Sequence, residues 1–227
     1  MEKVEQKYSV KIKSIEKITQ DVLQIVTEKP LGYVYEPGQA TDVSINVWGW
    51  MDEKFPFTFT SIPEDDYLEF TIKTHPTHKG VTHQLLQLRV GDELILHEVF
   101  GAIAYHAAGV FIAGGTGVTP FISILRELKS KGKLDGHKLI FANKTKADII
   151  LKDELDKMLG SNFINILSDE KIPEYACGQI SVDFIKTHAD NLDGYFYVCG
   201  PPPMMSAVEK QLKQLGVIEK YIVKESF

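Results

Sequence analysis

The spacing of apolar and polar residues changes once along this chain, from a period of two to a period of about 3.6. Before residue 106 the pattern alternates. Tyr8-Ser-Val-Lys-Ile-Lys-Ser-Ile and Asp42-Val-Ser-Ile-Asn-Val-Trp place an apolar side chain at every second position, as strands with one buried face do. Val22-Leu-Gln-Ile-Val-Thr, Phe55-Pro-Phe-Thr-Phe-Thr-Ser, Tyr67-Leu-Glu-Phe-Thr-Ile-Lys-Thr and Glu93-Leu-Ile-Leu-His-Glu-Val are further strands, rich in aromatic and β-branched residues. Tyr35-Glu-Pro-Gly-Gln and Val90-Gly-Asp are turns between them. One helical signal interrupts, with Val81, Leu85 and Leu88 following Gly80. Many short strands with regular turns predict an antiparallel β-barrel or a sandwich.

From Gly109 onward, strands alternate with helices. Val110-Phe-Ile-Ala, Lys138-Leu-Ile-Phe-Ala-Asn, Phe163-Ile-Asn-Ile-Leu, Tyr195-Phe-Tyr-Val-Cys and Lys220-Tyr-Ile-Val-Lys are short apolar strands. Helices are expected from Pro120, with Ile122, Leu125 and Leu128 on one face, and over residues 150–159. Two more are expected, from Ser181, which is placed to cap it, and from Met204 to Leu215. This order implies a parallel sheet with helices on both faces. The expected fold class is therefore a two-domain chain, a β-barrel over residues 1–106 and an α/β domain over 107–227, divided where the pattern changes near His106-Ala-Ala-Gly109.

Composition narrows the function. The net charge of −6 comes without a basic block, which argues against nucleic acid as a partner. No apolar run approaches the roughly 20 residues of a membrane span, so no membrane partner is expected. The opening Met1-Glu-Lys-Val-Glu-Gln-Lys lacks the apolar core of a secretion signal. Two cysteines, Cys177 and Cys199, are too few for a disulfide framework or a four-thiolate cluster, and a cytoplasmic setting is expected.

The residues that carry chemistry fall at strand ends. Gly114-Gly-Thr-Gly-Val-Thr-Pro120 joins a buried strand to a helix, and such a turn aims backbone N–H groups at an anion. It also reads as an ordinary connection that needs glycine for positive φ. Ser168-Asp169-Glu170 and Cys199-Gly-Pro-Pro202 follow two other strands. In a parallel sheet these ends lie on one edge, where ligands bind. Asp169 suits ribose hydroxyls and would repel a 2′-phosphate, or is a plain loop carboxylate. Cys199 reads as a buried, inert thiol, with no activating base in view. In the first half, Lys79-Gly-Val-Thr82 is a second glycine turn into a helix, either an anion site or a helix capped by Thr82. Thr58 and Thr60 share one face of their strand and Phe57 and Phe59 the other. His75, His78, His83, His97 and His106 lack a Cys or carboxylate to complete a metal set and read as surface histidines, so no metal is expected.

Taken together, Gly114-Gly-Thr-Gly-Val-Thr-Pro-Phe and Cys199-Gly-Pro-Pro-Pro-Met, with Tyr35-Glu-Pro-Gly-Gln-Ala and the terminal Glu225-Ser-Phe, resemble the ferredoxin–NADP reductase superfamily, nearest its small stand-alone bacterial flavodoxin or ferredoxin reductases. The resemblance spans nearly the whole chain. It implies a flavin-binding barrel followed by a nicotinamide-nucleotide domain, with FAD and NAD(P)H as cofactors. The family's flavin motif, Arg-x-Tyr-Ser/Thr, falls on Phe55, Pro56, Phe57 and Thr58, which would put Phe57 against the flavin ring and Thr58 near its N5. Phe55 stands in place of the arginine that pairs with the flavin pyrophosphate, a charge-assisted bond of roughly 1.5–3 kcal/mol. Lys79, Gly80, Val81 and Thr82 match the phosphate turn, and Thr71, Ile72 and Lys73 the strand beside the flavin. Gly115, Thr116 and Gly117 would approach the pyrophosphate and nicotinamide, and Cys199, Gly200 and Pro201 would flank the nicotinamide. Ser168 matches the ribose-phosphate site, where Asp169 in place of a following arginine argues for NADH. Phe227 matches an aromatic residue laid over the flavin, and Glu225 an acidic residue near it. Thr58, Cys199 and Glu225 are thus the residues expected closest to the chemistry.

The implied activity is hydride transfer from NAD(P)H to FAD, then electron delivery to a flavodoxin or ferredoxin-type carrier. Two alternatives carry the same motifs: a reductase of free flavin or ferric complexes, which the Phe55 departure favours, and a non-catalytic flavin-binding electron-transfer subunit.

Overall fold

The structure, a computed structural model, describes residues 6–75, 80–101 and 103–225. Six strands make the first half: β1 (Tyr8–Thr19), β2 (Val22–Glu28), β3 (Ala40–Ile45), β4 (Phe55–Thr58), β5 (Tyr67–Lys73) and β6 (Glu93–Phe100). All neighbours are antiparallel, in the order β4-β3-β6-β1-β2-β5. A bridge between Phe59 and Phe70 joins the two edges, so the sheet closes into a barrel rather than stacking as a sandwich. Closure follows from what fills it: Ile25, Phe59, Leu68, Phe70, Leu94 and Leu96 are completely buried inside.

Three expectations for this half need correction. Strand β3 stops at Ile45, and Trp48 stands 90% exposed in the loop beyond it. Helix α1 (Val81–Leu85) begins after an extended Gly80 with no side-chain cap, so Thr82 lies inside the helix and does not cap it. His97 is buried at 2% exposure, not a surface residue, and its Nε2 lies 2.9 Å from Ser44 Oγ. The cause is a bulge: pairing of β3 with β6 shifts between Thr41–Val99 and Val43–Leu96, so Leu96 and His97 are both buried in sequence.

The second half is a parallel sheet in the order β10-β9-β8-β7-β11-β12. Its strands are β7 (Gly109–Gly114), β8 (Lys138–Asn143), β9 (Phe163–Leu167), β10 (Ala176–Cys177), β11 (Tyr195–Cys199) and β12 (Ile222–Lys224). Helices α2 (Thr119–Ser130) and α3 (Lys152–Leu159) cover one face through Phe121, Leu125 and Leu155; α4 (Val182–His188) and α5 (Pro202–Gln214) cover the other through Ile185, Val208 and Leu212. Ser181 caps α4 as expected, its hydroxyl accepting from the Phe184 N–H at 3.2 Å. Helix α3 starts two residues later than its apolar pattern suggested, because Leu151 adopts a left-handed φ of 50°. Helix α5 starts two residues earlier, because prolines suit a first turn whose N–H groups need no partner. Val22 and Ile103 from the first half join the core beneath α2, so one apolar cluster spans both halves.

Candidate functional site

The parallel sheet reverses direction between β7 and β11. From β7 the chain moves one way to β8 and β9, then crosses back to β11 on the other side. The loops leaving β7 and β11 therefore part at this point and leave a crevice at their carboxyl ends. Residues Gly115–Val118 form a single 3₁₀ turn with no side-chain cap, and α2 follows directly. Thr119 ties the turn down by donating its hydroxyl to the Thr116 carbonyl at 3.0 Å.

Two glycines here do different work. A Cβ on Gly117 would sit 2.4 Å from the Cys199 carbonyl oxygen and 2.5 Å from Gly200 Cα, so only glycine lets the two strand-end loops touch. Gly115 has φ of 51°, and a Cβ on it would meet nothing within 4 Å, because it faces open space.

That space is a cleft of two joined cavities. The larger, about 620 Å³, runs from Gly114 and Gly115 past Asn143 to Ser168 and Asp169, with Met204 on its wall. The smaller, about 460 Å³, lies between Thr58 of the barrel and Thr116, Gly117, Cys199, Gly200 and Glu225. Lys73, Gly114, Gly115 and Pro201 border both. Each volume falls within the several hundred Å³ typical of sites for small ligands and cofactors. The barrel walls one side. Lys73 Nζ sits 3.0 Å from Asp21 Oδ2, and Gln20 donates to Asp148 across the domain boundary at 2.9 Å.

The smaller cavity holds two perturbed acids. The Cys199 thiol is pushed up to about 12, chiefly by burial and then by the charge of Glu225. Glu225 is itself raised by burial, which the Cys199 contact at 3.8 Å partly offsets. At neutral pH this cysteine stays a thiol, which suits a wall of the site and not a nucleophile. At the far end of the larger cavity, Ser168 donates to Asp169 at 2.6 Å, and backbone bonds from Ser168 to Asn143 and from Asp169 to Lys144 hold the loop.

Eleven residues singled out from the sequence meet in this cleft: Thr58, Lys73, Gly115, Thr116, Gly117, Ser168, Asp169, Cys199, Gly200, Pro201 and Glu225. Others lie outside both cavities. Pro56 is exposed, and Phe57 packs against the barrel core. Ile72 is inside the barrel, and the buried Thr71 hydroxyl lies 3.3 Å from that of Thr60. Gly80, Val81 and Thr82 form the start of α1. Lys79, His78 and Phe227 lie outside the described residues. Asn143 and Met204 were missed, although Asn143 ends a strand on the binding edge, where the same rule applies. Gln20 and Asp21 reach the cleft from a hairpin whose sequence carries no signal beyond a strand break.

Among the described residues, no group of three or more His, Cys, Asp or Glu could hold a metal ion, and no helix is long and apolar enough to cross a membrane. The groups that do line the cleft suit a nucleotide and a planar ring: backbone at a helix start for phosphate, one lysine at the junction, small residues at Gly115–Gly117 and Gly200, and a carboxylate–hydroxyl pair for ribose.

Comparison with known proteins agrees with this geometry. Residues 7–103 match the family model of an FAD-binding domain, and residues 111–210 that of an oxidoreductase NAD-binding domain. NADH-cytochrome b5 reductase 1 of Aspergillus terreus is 33% identical over 182 residues, covering 70% of this chain and 60% of the relative. The reductase component of propane 2-monooxygenase from Rhodococcus jostii is 26% identical over 234 residues, covering 96% of this chain and 62% of the relative. The chain thus spans about three fifths of the length of these curated relatives. Among solved structures, the FAD/NAD-binding domain of nitric oxide dioxygenase from Vibrio cholerae superimposes with a TM-score of 0.84 at 22% identity, covering 96% of this chain and 98% of that one. A ferredoxin NADP+ reductase from Neisseria gonorrhoeae, with bound FAD and NADP, gives 0.84 at 18% identity, covering 96% and 97%. With an FAD-binding barrel followed by a nicotinamide-nucleotide domain that meets it across one cleft, this chain belongs to the ferredoxin–NADP reductase superfamily.

Proposed function

We propose that this chain is a flavoprotein reductase that takes a hydride from NADH and delivers electrons singly to a separate carrier protein of the flavodoxin or ferredoxin type. The observation that carries the reading is the joined cleft, walled by Thr58 and Lys73 of the barrel on one side and by the Gly115–Gly117 turn on the other. FAD, when bound, supplies the chemistry, since its ring accepts a hydride and releases electrons one at a time. The protein supplies position and exclusion of water. The turn at Gly115–Gly117 would hold the nucleotide pyrophosphate by its N–H groups, and Lys73 would balance the phosphate charge at the junction. Cys199, Gly200 and Pro201 would form the floor under the nicotinamide. Thr58 would present its hydroxyl or backbone to the flavin edge. Glu225, raised by burial, would keep a proton to higher pH than an ordinary carboxyl at the lip of the smaller cavity. Asp169 would accept from the ribose hydroxyls and disfavour a 2′-phosphate, which selects NADH.

Anaerobic stopped-flow mixing of the FAD-loaded protein with each nucleotide tests this. Rapid bleaching by NADH and slower bleaching by NADPH are expected, and no bleaching with either sinks the proposal. Flavodoxin, ferredoxin and cytochrome b5, offered in parallel as acceptors, then identify the carrier class.

One observation favours a second reading. Phe55 is half-buried against the barrel core at the place of the family arginine, so β4 offers no cation to the flavin phosphates there. Flavin held weakly would act as substrate, and the protein would reduce it free in solution. Protein that stays yellow through gel filtration rejects this alternative.

A further inference from the structure

Behind the smaller cavity, hydrogen bonds from α2 join its two walls. One wall is the segment that continues from Thr58. Two and three residues further on, Thr60 and Ser61 are completely buried, and each offers a carbonyl to α2 of the other domain. Ser123 Oγ donates to the Ser61 carbonyl at 2.7 Å, and Arg126 Nη1 donates to the Thr60 carbonyl at 2.7 Å. The other wall is the Gly115–Val118 turn, and α2 grows directly from it. Thr119, Ser123 and Arg126 recur at helical spacing along one side of α2. Thr119 grips the turn, while Ser123 and Arg126 grip the flavin-side strand.

Arg126 is anchored in three directions. Nη1 also meets Glu69 Oε1 at 2.6 Å, while Nε and Nη2 form a two-pronged pair with Glu154 at 2.7 and 2.8 Å. Glu69 in turn accepts the Thr60 hydroxyl at 2.7 Å and donates its N–H to Ser61 Oγ at 3.0 Å. Burial disfavours the cation here, but the bond to Glu154 and the charges of Glu69 and Glu154 outweigh it and hold the guanidinium charged. A bulk apolar contact would hold two domains together as well. It would not dictate the register of Thr60 and Ser61 against α2 to within a hydrogen bond.

We propose that Arg126, seconded by Ser123, is a positioning residue that fixes the width of the gap between Thr58 and the Gly115–Thr116 turn, and with it the distance the hydride crosses. The inference rests on the function proposed above. Neither side chain lines the cleft, so neither touches nucleotide or flavin there. Their loss should widen or tilt the gap without removing a binding contact.

The test compares wild type, Arg126→Met, Arg126→Lys and Ser123→Ala, all loaded with FAD. Flavin reduction is followed at saturating NADH, and the dissociation constant for NADH is measured in parallel. The long-wavelength charge-transfer absorbance is recorded on dithionite-reduced protein mixed with NAD+, which reports ring contact without turnover. For Arg126→Met we expect reduction at saturation to slow about a hundredfold, the scale of a roughly 1 Å misplacement, with NADH affinity within threefold of wild type and the charge-transfer band lost. Arg126→Lys keeps the charge but cannot span Thr60, Glu69 and both oxygens of Glu154 at once, so it should recover only part of the rate. Ser123→Ala should slow reduction several-fold with affinity unchanged, and it decides the matter if Arg126→Met does not fold. Wild-type rate and an undiminished charge-transfer band in the variants overturn the inference, as does a loss of rate matched by an equal loss of affinity. A wild type that NADH fails to bleach overturns the function itself, so the two failures are told apart by the control.

Discussion

The cleft has two walls, and the chain makes them differently. The nucleotide wall is mostly backbone: a 3₁₀ turn, glycines at contact distance from the next loop, and strand ends whose positions follow from sheet topology. The barrel wall is a strand segment whose half-buried Thr58 is set by polar side chains behind it, with Ser123 and Arg126 supplied by the other domain. Backbone walls fail by steric clash, which is abrupt and local. Walls set by buried charge fail by loss of a partner, which is large and depends on pH.

The largest effect is expected at Arg126. Its truncation to Met strands Glu69 and Glu154, carboxylates with 7% and 33% of their side chains exposed, without their cation. Breaking one member of such a buried network costs about 4 kcal/mol of folding stability. Urea unfolding of the variant against wild type measures it, and a change under about 1 kcal/mol would mean the network is not buried in solution. The network should also be acid-sensitive. Burial raises the Glu154 pKa, but Arg126 outweighs it and holds the carboxyl below its ordinary 4.5. A carboxyl depressed by folding adds stability that is present above its unfolded value and disappears as pH falls through the folded one. Wild type should therefore lose stability as pH drops below about 4.5, and Arg126→Met should show a flatter acid limb.

Gly117→Ala tests the other wall. The new Cβ would meet backbone atoms of Cys199 and Gly200 at 2.4–2.5 Å, and no rotamer change can relieve that. A cost of about 3 kcal/mol is expected, at the upper end of the range for overpacking, together with loss of nucleotide-dependent flavin reduction. Gly115→Ala is the control two residues away. Its Cβ meets nothing, so stability should fall only by the roughly 1 kcal/mol of a left-handed non-glycine residue. NADH binding should still weaken, because that Cβ occupies the junction of the two cavities. Equal stability loss in the two variants, read by thermal unfolding, would remove the steric account of this wall.

The same contrast explains what was legible beforehand. The change of period from two to 3.6 marks the barrel and the α/β half, and glycine-rich ends of Val110–Ala113 and Tyr195–Cys199 mark the edge that lines the cleft, because each of these is a local pattern. In the sequence Arg126 is one polar position beside the apolar face of Ile122, Leu125 and Leu128. Its partners Thr60, Glu69 and Glu154 are far away in sequence, and nothing local announces that a surface-patterned arginine will be enclosed by another domain. His97 misled for a related reason: a bulge in β3–β6 pairing shifts the alternation that a strand otherwise keeps. Helix α3 ran short of its pattern because one left-handed residue, Leu151, breaks a run whose apolar spacing continues through it.

Phe55→Arg should add to β4 the cation it does not offer at this position. An arginine here would reach for the flavin phosphates, but it gives up the packing of Phe55 against the barrel core. FAD affinity should therefore rise about tenfold, less than a full charge-assisted bond would allow. Fluorescence titration of the apoprotein with FAD and, separately, with riboflavin separates the two contributions, since only the phosphates should gain. Equal changes for both ligands would show that the substitution acts through ring packing.

The smallest effect belongs to Asp169, at the exposed far end of the nucleotide wall. It lies 2.6 Å from the Ser168 hydroxyl, so Asn at this position can keep that bond while losing the charge. What disappears is repulsion toward a 2′-phosphate, and in open solvent a single charge contributes little because water and salt screen it. Asp169→Asn should therefore narrow the preference for NADH over NADPH by a few-fold, through NADPH binding more tightly, with flavin reduction at saturation unchanged. Lower ionic strength should enlarge the difference between wild type and variant. If the preference shifts by the same factor from low to high salt, the discrimination is steric, and the backbone of the Ser168 loop selects the coenzyme in place of its charge.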